Sequence, residues 1–333
     1  MGGLEEAKPM KPKITYRKRR DLMLKYFSSS SVVAILAQSL RDCGMPLVFN
    51  RGRPCEVPKE KLISFILFAR ICGDKFERME MDSELYVQRH YDHSNLHYHY
   101  RQLASDVIIR LTGLFEQRIK AMINEVLLHI FDSTALSTSV RVERLYQGTR
   151  RKEKLTTKFH TLLGYDPPNQ LILVEGMLAS NNRTSDAQGA SKILQDKENL
   201  AGYSFGDSAF ETYDLIELTC AKGLEPIYKP VKKNVRRKLS KKAQLRKVWN
   251  GNHSRMYRDI RGSGESLYGA TTRAGLIHTN SIEEGQRHKD SLIIGLRQNL
   301  LNYLRLKALL GIIRKTLEKH YPLKGLRIED RAR

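Results

Sequence analysis

Cysteine is scarce. The four residues Cys43, Cys55, Cys72 and Cys220 include no C-x-x-C pair. That excludes a zinc ribbon and a disulfide framework, and it fits a reducing compartment. No apolar run reaches the roughly 18 residues of a membrane span. The opening residues, Met1-Gly-Gly-Leu-Glu-Glu, form neither a signal peptide nor a basic targeting helix. The expectation is a cytoplasmic protein, nucleoid-associated if the source is prokaryotic. Internal repeats and low-complexity tracts are missing. Acids are also in short supply, with 36 Asp and Glu against 58 Lys and Arg, a net charge of +22. Such an excess of cations predicts a polyanionic partner, because Lys and Arg release counterions from phosphates.

What is present is enough for a sizeable core. The chain has 333 residues, 41% of them hydrophobic, and its length suggests about two domains. Residues 1–20 are basic and end in Arg17-Lys-Arg-Arg20, which reads as a flexible arm. Residues 21–125 read as helical. Short apolar-periodic segments run from Asp21 to Phe27 and from Ser31 to Cys43, with a break at Asn50-Arg-Gly-Arg-Pro54. Pro58 opens the next helix. Ser94 caps another that runs through Leu103, Val107, Leu111 and Leu114, spaced near 3.6 residues. Several short helices in a basic chain are compatible with a helix-turn-helix DNA-binding domain.

The pattern changes near residue 126. Leu127 to Phe131, Leu155 to Leu163 and Gln170 to Val174 read as strands, with Pro167-Pro-Asn169 as a turn. A helix from Asp186 to Leu194, a strand into Asp207, a helix from Thr212 to Ala221 and a strand from Ile227 to Val231 follow. This predicts an α/β fold with a mixed sheet and helices on its faces, spanning 126–280. Between Pro226 and Arg258 stand twelve Lys or Arg and no acid. The densest part, Arg236-Arg-Lys238 and Lys241-Lys242, lies in a basic insertion at about 232–256, suited to tracking DNA. Residues 281–333 form a C-terminal helical region. It opens on a capping-box pattern, Ser281-x-x-Glu284, and continues as a stripe of Leu292, Leu296, Leu300 and Leu304. That stripe suits packing on the core, while Arg297, Arg305, Lys307, Arg314 and Lys315 are available to DNA.

Three acids stand where phosphodiester chemistry needs them. Asp132 closes the run Val126-Leu-Leu-His-Ile-Phe-Asp, Asp207 closes Tyr203-Ser-Phe-Gly-Asp, and Glu265 follows the basic stretch. An acid at the end of a buried strand costs desolvation energy and is best tolerated where it holds a cation. Two Mg²⁺ (or Mn²⁺) ions roughly 3.5–4 Å apart would activate a nucleophile and stabilise a leaving oxygen. The spacing of 75 residues from Asp132 to Asp207 leaves room for two strands, a helix and a return strand.

The ordered blocks Phe131-Asp-Ser-Thr134, Lys158-Phe-His160, Gly206-Asp-Ser-Ala-Phe210 and Arg261-x-x-x-Glu265-x-x-Tyr-Gly269 resemble the DDE transposases of bacterial and archaeal insertion sequences. Arg51-Gly-Arg-Pro54 resembles their N-terminal region. The resemblance covers roughly residues 50 to 310. It implies a ribonuclease H-like catalytic domain with a five-stranded sheet, and Asp132, Asp207 and Glu265 as catalytic, metal-binding acids. It implies a homodimer or higher oligomer holding double-stranded transposon ends and target DNA. The reaction it implies is water attack at the end, then attack by the freed 3′-hydroxyl. The chain departs from the pattern: Tyr257 precedes Arg261 by one residue too many, and Arg273 comes one late. Gly262 and Gly264 cost about 1 kcal/mol each in a helix, so the helix is expected to begin only near Glu265. Glu283 and Glu284 are rival third acids.

Lys158 and His160 share a strand face, either as phosphate contacts or as a polar face. Asp186 reads as a helix-start acid. His90, His93, His97 and His99, with Tyr91, Tyr98 and Tyr100, read as a helix junction or a DNA-touching surface rather than a zinc site. Trp249 either stacks on an unpaired base or belongs to local core. Other readings are a domesticated sequence-specific DNA-binding protein and a stand-alone Mg²⁺-dependent DNA nuclease.

Overall fold

The computed structural model describes residues 27–44, 57–123, 126, 128–146, 149–230, 253–273 and 281–320. The arm at 1–20, the break at 50–54, Cys55 and most of the basic insertion lie outside them. With the insertion go Arg236, Arg237, Lys238, Lys241, Lys242 and Trp249.

Among the described residues five helices come first: α1 (Ser29–Asp42), α2 (Lys59–Cys72), α3 (Phe76–Val87), α4 (His93–Gln102) and α5 (Ser105–Lys120). Ser28 caps α1 by accepting from the Ser31 amide, 3.2 Å. Pro58 sits at the start of α2 as expected, and Gly73 ends it in the left-handed region, φ 82°. Helix α2 is buried nearly all round, from Leu62 to Ala69. The helix expected from Ser94 through Leu114 is in fact two. Asp92 caps α4 by accepting from Asn95 N, 2.9 Å, and the chain turns extended at Leu103 and Ala104 before α5. A capping Asp one residue before the helix competes well against Ser94, which falls inside the first turn.

The sheet follows: β1 (Leu128–Tyr146), β2 (Thr149–Asp166) and β3 (Leu171–Asn181), then α6 (Asp186–Gln195), β4 (Gly202–Gly206), α7 (Tyr213–Ala221) and β5 (Leu224–Tyr228). Its order is β3-β2-β1-β4-β5. The first three strands are antiparallel, and β4 and β5 run parallel to β1. This is the mixed α/β sheet the sequence suggests. Its first two strands are far longer than the apolar runs that announce them, so Asp132 lies inside β1 and does not end it. Ser185 and Gln188 form a capping box on α6.

Helices cover both faces. Phe131 and Leu162 face α6 and α7 through Ala190, Ile193, Leu194, Leu215 and Ile216. On the other side Ile130, Phe159, Val174 and Phe205 join one core with the N-terminal helices, α8 (Ser254–Arg273) and α9 (Glu284–His320). The leucine stripe of α9 is buried in that core, as its spacing predicts. Arg297 is buried too, so it does not face DNA. Ser281 accepts from Glu283 N, 3.2 Å, and α9 starts only at Glu284, so the expected capping box is not formed.

Helix α9 also protects the open edge of the sheet. Edge strands leave amides and carbonyls unpaired. Here Asn299 accepts from Val174 N (2.8 Å) and donates to Val174 O (2.8 Å), while Gln298 and Asn302 donate to Ile172 O. Val174 precedes a bulge at Glu175, where the β2–β3 register shifts between Leu162 and Leu163. The bulge turns Glu175 inward, onto His129.

Candidate active site

Parallel pairing of β1 with β4 places the two aspartates. Leu128 pairs with Tyr203, His129 with Ser204 and Ile130 with Phe205, each 75 residues apart. Asp132 and Asp207 have the same separation, so continuing this register by two residues sets one beside the other. Neighbouring strands lie about 4.8 Å apart, and paired residues face the same side. Both aspartates line one small cleft, with Ile130, Phe131, Phe205, Gly206, Tyr257 and Arg261. Its volume, about 20 Å³, admits one water-sized body.

Local geometry holds the acids. The Ser133 amide donates to Asp132 Oδ1, 2.8 Å, and the Ala209 amide to Asp207 Oδ1, 2.8 Å. The latter makes a turn just past β4, the usual use of an Asp before Ser. Behind Asp132, its carbonyl accepts from Thr161 Oγ1, 3.2 Å, and the Tyr268 hydroxyl lies 2.7 Å from the same Thr161 oxygen. Burial raises the Tyr268 pKa, and the Asp132 charge raises it further. The phenol is therefore a neutral hydrogen-bonding post.

Helix α8 crosses β1 and β4 at this point. It runs unbroken through Gly262 and Gly264, against the expectation of a start near Glu265. Packing of Tyr257, Ile260 and Leu267 into the core outweighs the propensity cost, as tertiary contacts commonly do. Arg261 donates to the Tyr257 hydroxyl, 2.9 Å, and stacks 5.7 Å from its ring centre. Residues four apart on a helix face the same side nearly as well as residues three apart. The extra residue between Tyr257 and Arg261 is thus absorbed without separating them. Glu265 stands one turn beyond Arg261 and one turn before Tyr268, in the stretch of α8 that these two tie to the cleft. Its side chain is outside the described atoms, as is that of Arg273, the last residue of α8. Among the described residues no group of three His, Cys, Asp or Glu gathers as metal ligands.

The other sequence-nominated residues fall elsewhere. His160 is 2% exposed and packs on α6, where a Cβ added to Gly189 would lie 2.3 Å from its ring. Its Nε2 lies 2.9 Å from Ser180 Oγ. Pairing with Ser133 sets it on the opposite face from Asp132, so it is not a phosphate contact. Lys158, on the same face, pairs with Asp186 at 2.7 Å, and Ser133 Oγ donates to that carboxylate. Asp186 is the helix-start acid expected, held within this polar cluster. Glu283 pairs with Arg101 at 2.6 Å and Glu284 lies 3.5 Å from His288. Neither lines the cleft. The His and Tyr cluster is a helix junction: Tyr100 is fully buried and, with Arg70, donates to Asp290 of α9. Tyr268 is a site residue not among the sequence candidates, although it sits three residues past Glu265 in the same motif.

Burial pushes His160 down to about 4 from its ordinary 6.5, with Asp186 only partly opposing. Its folded pKa is depressed, so the unfolded chain binds the proton more readily between pH 6.5 and 4. Stability is therefore lost as pH falls through that window. The expected contribution is about 3 kcal/mol. Urea unfolding of the parent and of His160→Gln at pH 7 and at pH 4.5 checks this. Parallel pH slopes in the two proteins would refute the assignment.

No protein-family model matches the chain, and no curated protein matches it. Among solved structures it is similar to piggyBac transposase in a synaptic complex with hairpin DNA. The identity is 11% and the TM-score 0.34, over 93% of this chain and 83% of that one. A likeness that slight decides nothing about chemistry.

Among the described residues no helix is long and apolar enough to cross a membrane.

Proposed function

We propose that this chain is a DDE-type DNA transposase, with a ribonuclease H-like catalytic domain that cuts and joins strands. One observation carries the reading: Asp132 and Asp207 share a cleft because their 75-residue separation equals the β1–β4 register. Two hard carboxylates on a cleft with room for a water-sized body fit Mg²⁺ or Mn²⁺. Asp132 and Asp207 would hold the metal, with Glu265 supplied from α8. When bound, the metal activates an oxygen nucleophile and stabilises the leaving oxygen. Arg261 brings a permanent positive charge to the same cleft, suited to a phosphate oxygen. Tyr268 and Thr161 fix the backbone of Asp132, so the carboxylate is presented without reorganisation. The net charge of +22 supports a polyanionic substrate. In this reading the helices before residue 126 recognise terminal repeats, and two or more copies bring the ends together.

The experiment uses linear DNA carrying the sequences that flank the gene, a supercoiled target plasmid, and Mg²⁺, Mn²⁺ or Ca²⁺. The parent is expected to nick at the ends and join the 3′-ends to the plasmid with Mg²⁺ or Mn²⁺. Cutting without joining in any metal would indicate a nuclease. Tight, sequence-specific binding with no cutting would indicate a DNA-binding protein.

A further inference from the structure

The hairpin of β1 and β2 outgrows the sheet. β3 stops pairing with β2 at Thr157, opposite Asn181. Beyond a register shift between Ser137 and Arg141, residues 141–146 of β1 pair only with residues 149–154 of β2. Those six paired positions extend about 20 Å at 3.3 Å per residue, comparable to the width of a DNA duplex. The ribbon leaves the sheet by continuing β1 past Asp132, at the end where β4 delivers Asp207.

Its composition suits a polyanion. Paired residues share a face, so Arg141, Lys154, Glu143, Lys152 and Arg150 lie together. All five are exposed, four cations against one acid. Lys152 lies 3.9 Å from Glu143, an ion pair that is solvent-exposed and worth little. Among the described residues Arg141, Arg150 and Lys154 have no acid within ion-pair reach. Arg141 stands directly opposite Lys154. Like charges in register destabilise a hairpin, so this pair does not serve the fold. Protection of a bare edge needs only scattered lysines, not matched cations.

We propose that this ribbon is a DNA clamp. Arg141, Arg150, Lys152 and Lys154 hold the phosphates of a B-form duplex as it passes to the Asp132–Asp207 cleft. A two-stranded ribbon fits the roughly 12 Å major groove of DNA, whereas the deep, narrow major groove of duplex RNA rejects it. The clamp rests on the transposase reading for the direction in which the duplex runs, but it is tested by binding alone.

The test is fluorescence anisotropy of the full chain on a mixed-sequence DNA duplex across a salt series, with Ca²⁺ or without metal. The fourfold variant Arg141→Gln, Arg150→Gln, Lys152→Gln, Lys154→Gln is expected to lose about 3 to 4 in the slope of log affinity against log salt. Near 0.1 M salt that is a loss on the order of 10³-fold. Glu143→Gln is expected to shift affinity the other way. Should the fourfold variant unfold by circular dichroism, Arg150→Gln alone carries the test with a slope change of about 0.9. Unchanged slopes in folded variants overturn the clamp. An equal loss of slope on duplex RNA overturns the choice of DNA. If the parent never cuts DNA yet these variants lose slope, the clamp stands and the transposase reading falls.

Discussion

Asp132→Asn is expected to lower metal-dependent strand cleavage by about 10³-fold or more, because metal-held charge stabilisation is worth several kcal/mol. The fold is expected to survive, since Asn retains an oxygen to accept from the Ser133 amide. The two carboxylates repel one another across the cleft while Arg261 on the same cleft attracts both, so the metal-free variant should unfold at about the parent's temperature. Binding of DNA should be equal or tighter, because a negative charge beside the phosphate has been removed. Added Mg²⁺ or Mn²⁺ stabilises the parent by mass action, and that increment should vanish in the variant. Asp207→Asn should behave the same way, and the double variant should add little, as expected for residues acting as a unit. Cleavage assays and thermal unfolding, each with and without metal, decide it. Parent-like cleavage by Asp132→Asn would remove the aspartate pair from the chemistry.

Glu175→Ala is expected to destabilise the fold strongly. The Glu175 side chain is fully buried, with Oε2 2.6 Å from His129 Nδ1 and Oε1 2.7 Å from Lys120 Nζ. His129 Nε2 in turn lies 3.0 Å from the Ala201 carbonyl. Removing Glu175 leaves the buried His129 without its counter-charge, while Lys120 keeps Glu116 at 2.9 Å; breaking such a buried pair typically costs about 3–5 kcal/mol. The pH dependence has a definite shape. Burial alone would lower the His129 pKa, but the Glu175 hydrogen bond and charge prevail, and it rises above 6.5. Burial alone would raise Glu175, but His129 and then Lys120 prevail, and it falls below 4.5. Stability from His129 is present below 6.5 and lost as pH rises through its raised value. Stability from Glu175 is present above 4.5 and lost as pH falls through its lowered value. The gap between parent and Glu175→Ala should therefore be widest between about pH 4.5 and 6.5. Urea unfolding across that range measures it, and a gap under about 1 kcal/mol would refute the network's role.

Much of the architecture was legible, for identifiable reasons. The leucine stripe of α9 and the apolar positions of α5 repeat near 3.6 residues, and such faces bury whatever the details. Pro167-Pro-Asn169 marks a turn because proline presets one backbone angle, and Gln170 N donates back to Pro167 O. The outer part of the hairpin was not legible. Arg150-Arg-Lys-Glu-Lys154 has poor strand propensity and pairs only because β1 continues beside it. Helix α8 was misjudged at Gly262 and Gly264, since propensity counts local cost and not the core contacts of Tyr257, Ile260 and Leu267. His160 reads equally as a phosphate contact or as part of a polar strand face, because only its pairing with Ser133 fixes which face of the sheet it takes.

By itself the sequence determined the charge of the chain, the periodic faces of its helices and the separation of 75 between two aspartates. These are local or additive properties, readable without knowing what lies opposite. Only the tertiary structure decided that 75 is also the offset of two parallel neighbours, which brings Asp132 and Asp207 to one cleft. It alone set His160 behind the sheet and Tyr257 and Arg261 at the cleft's edge, because strand order, register and face arise from long-range packing that no short stretch encodes.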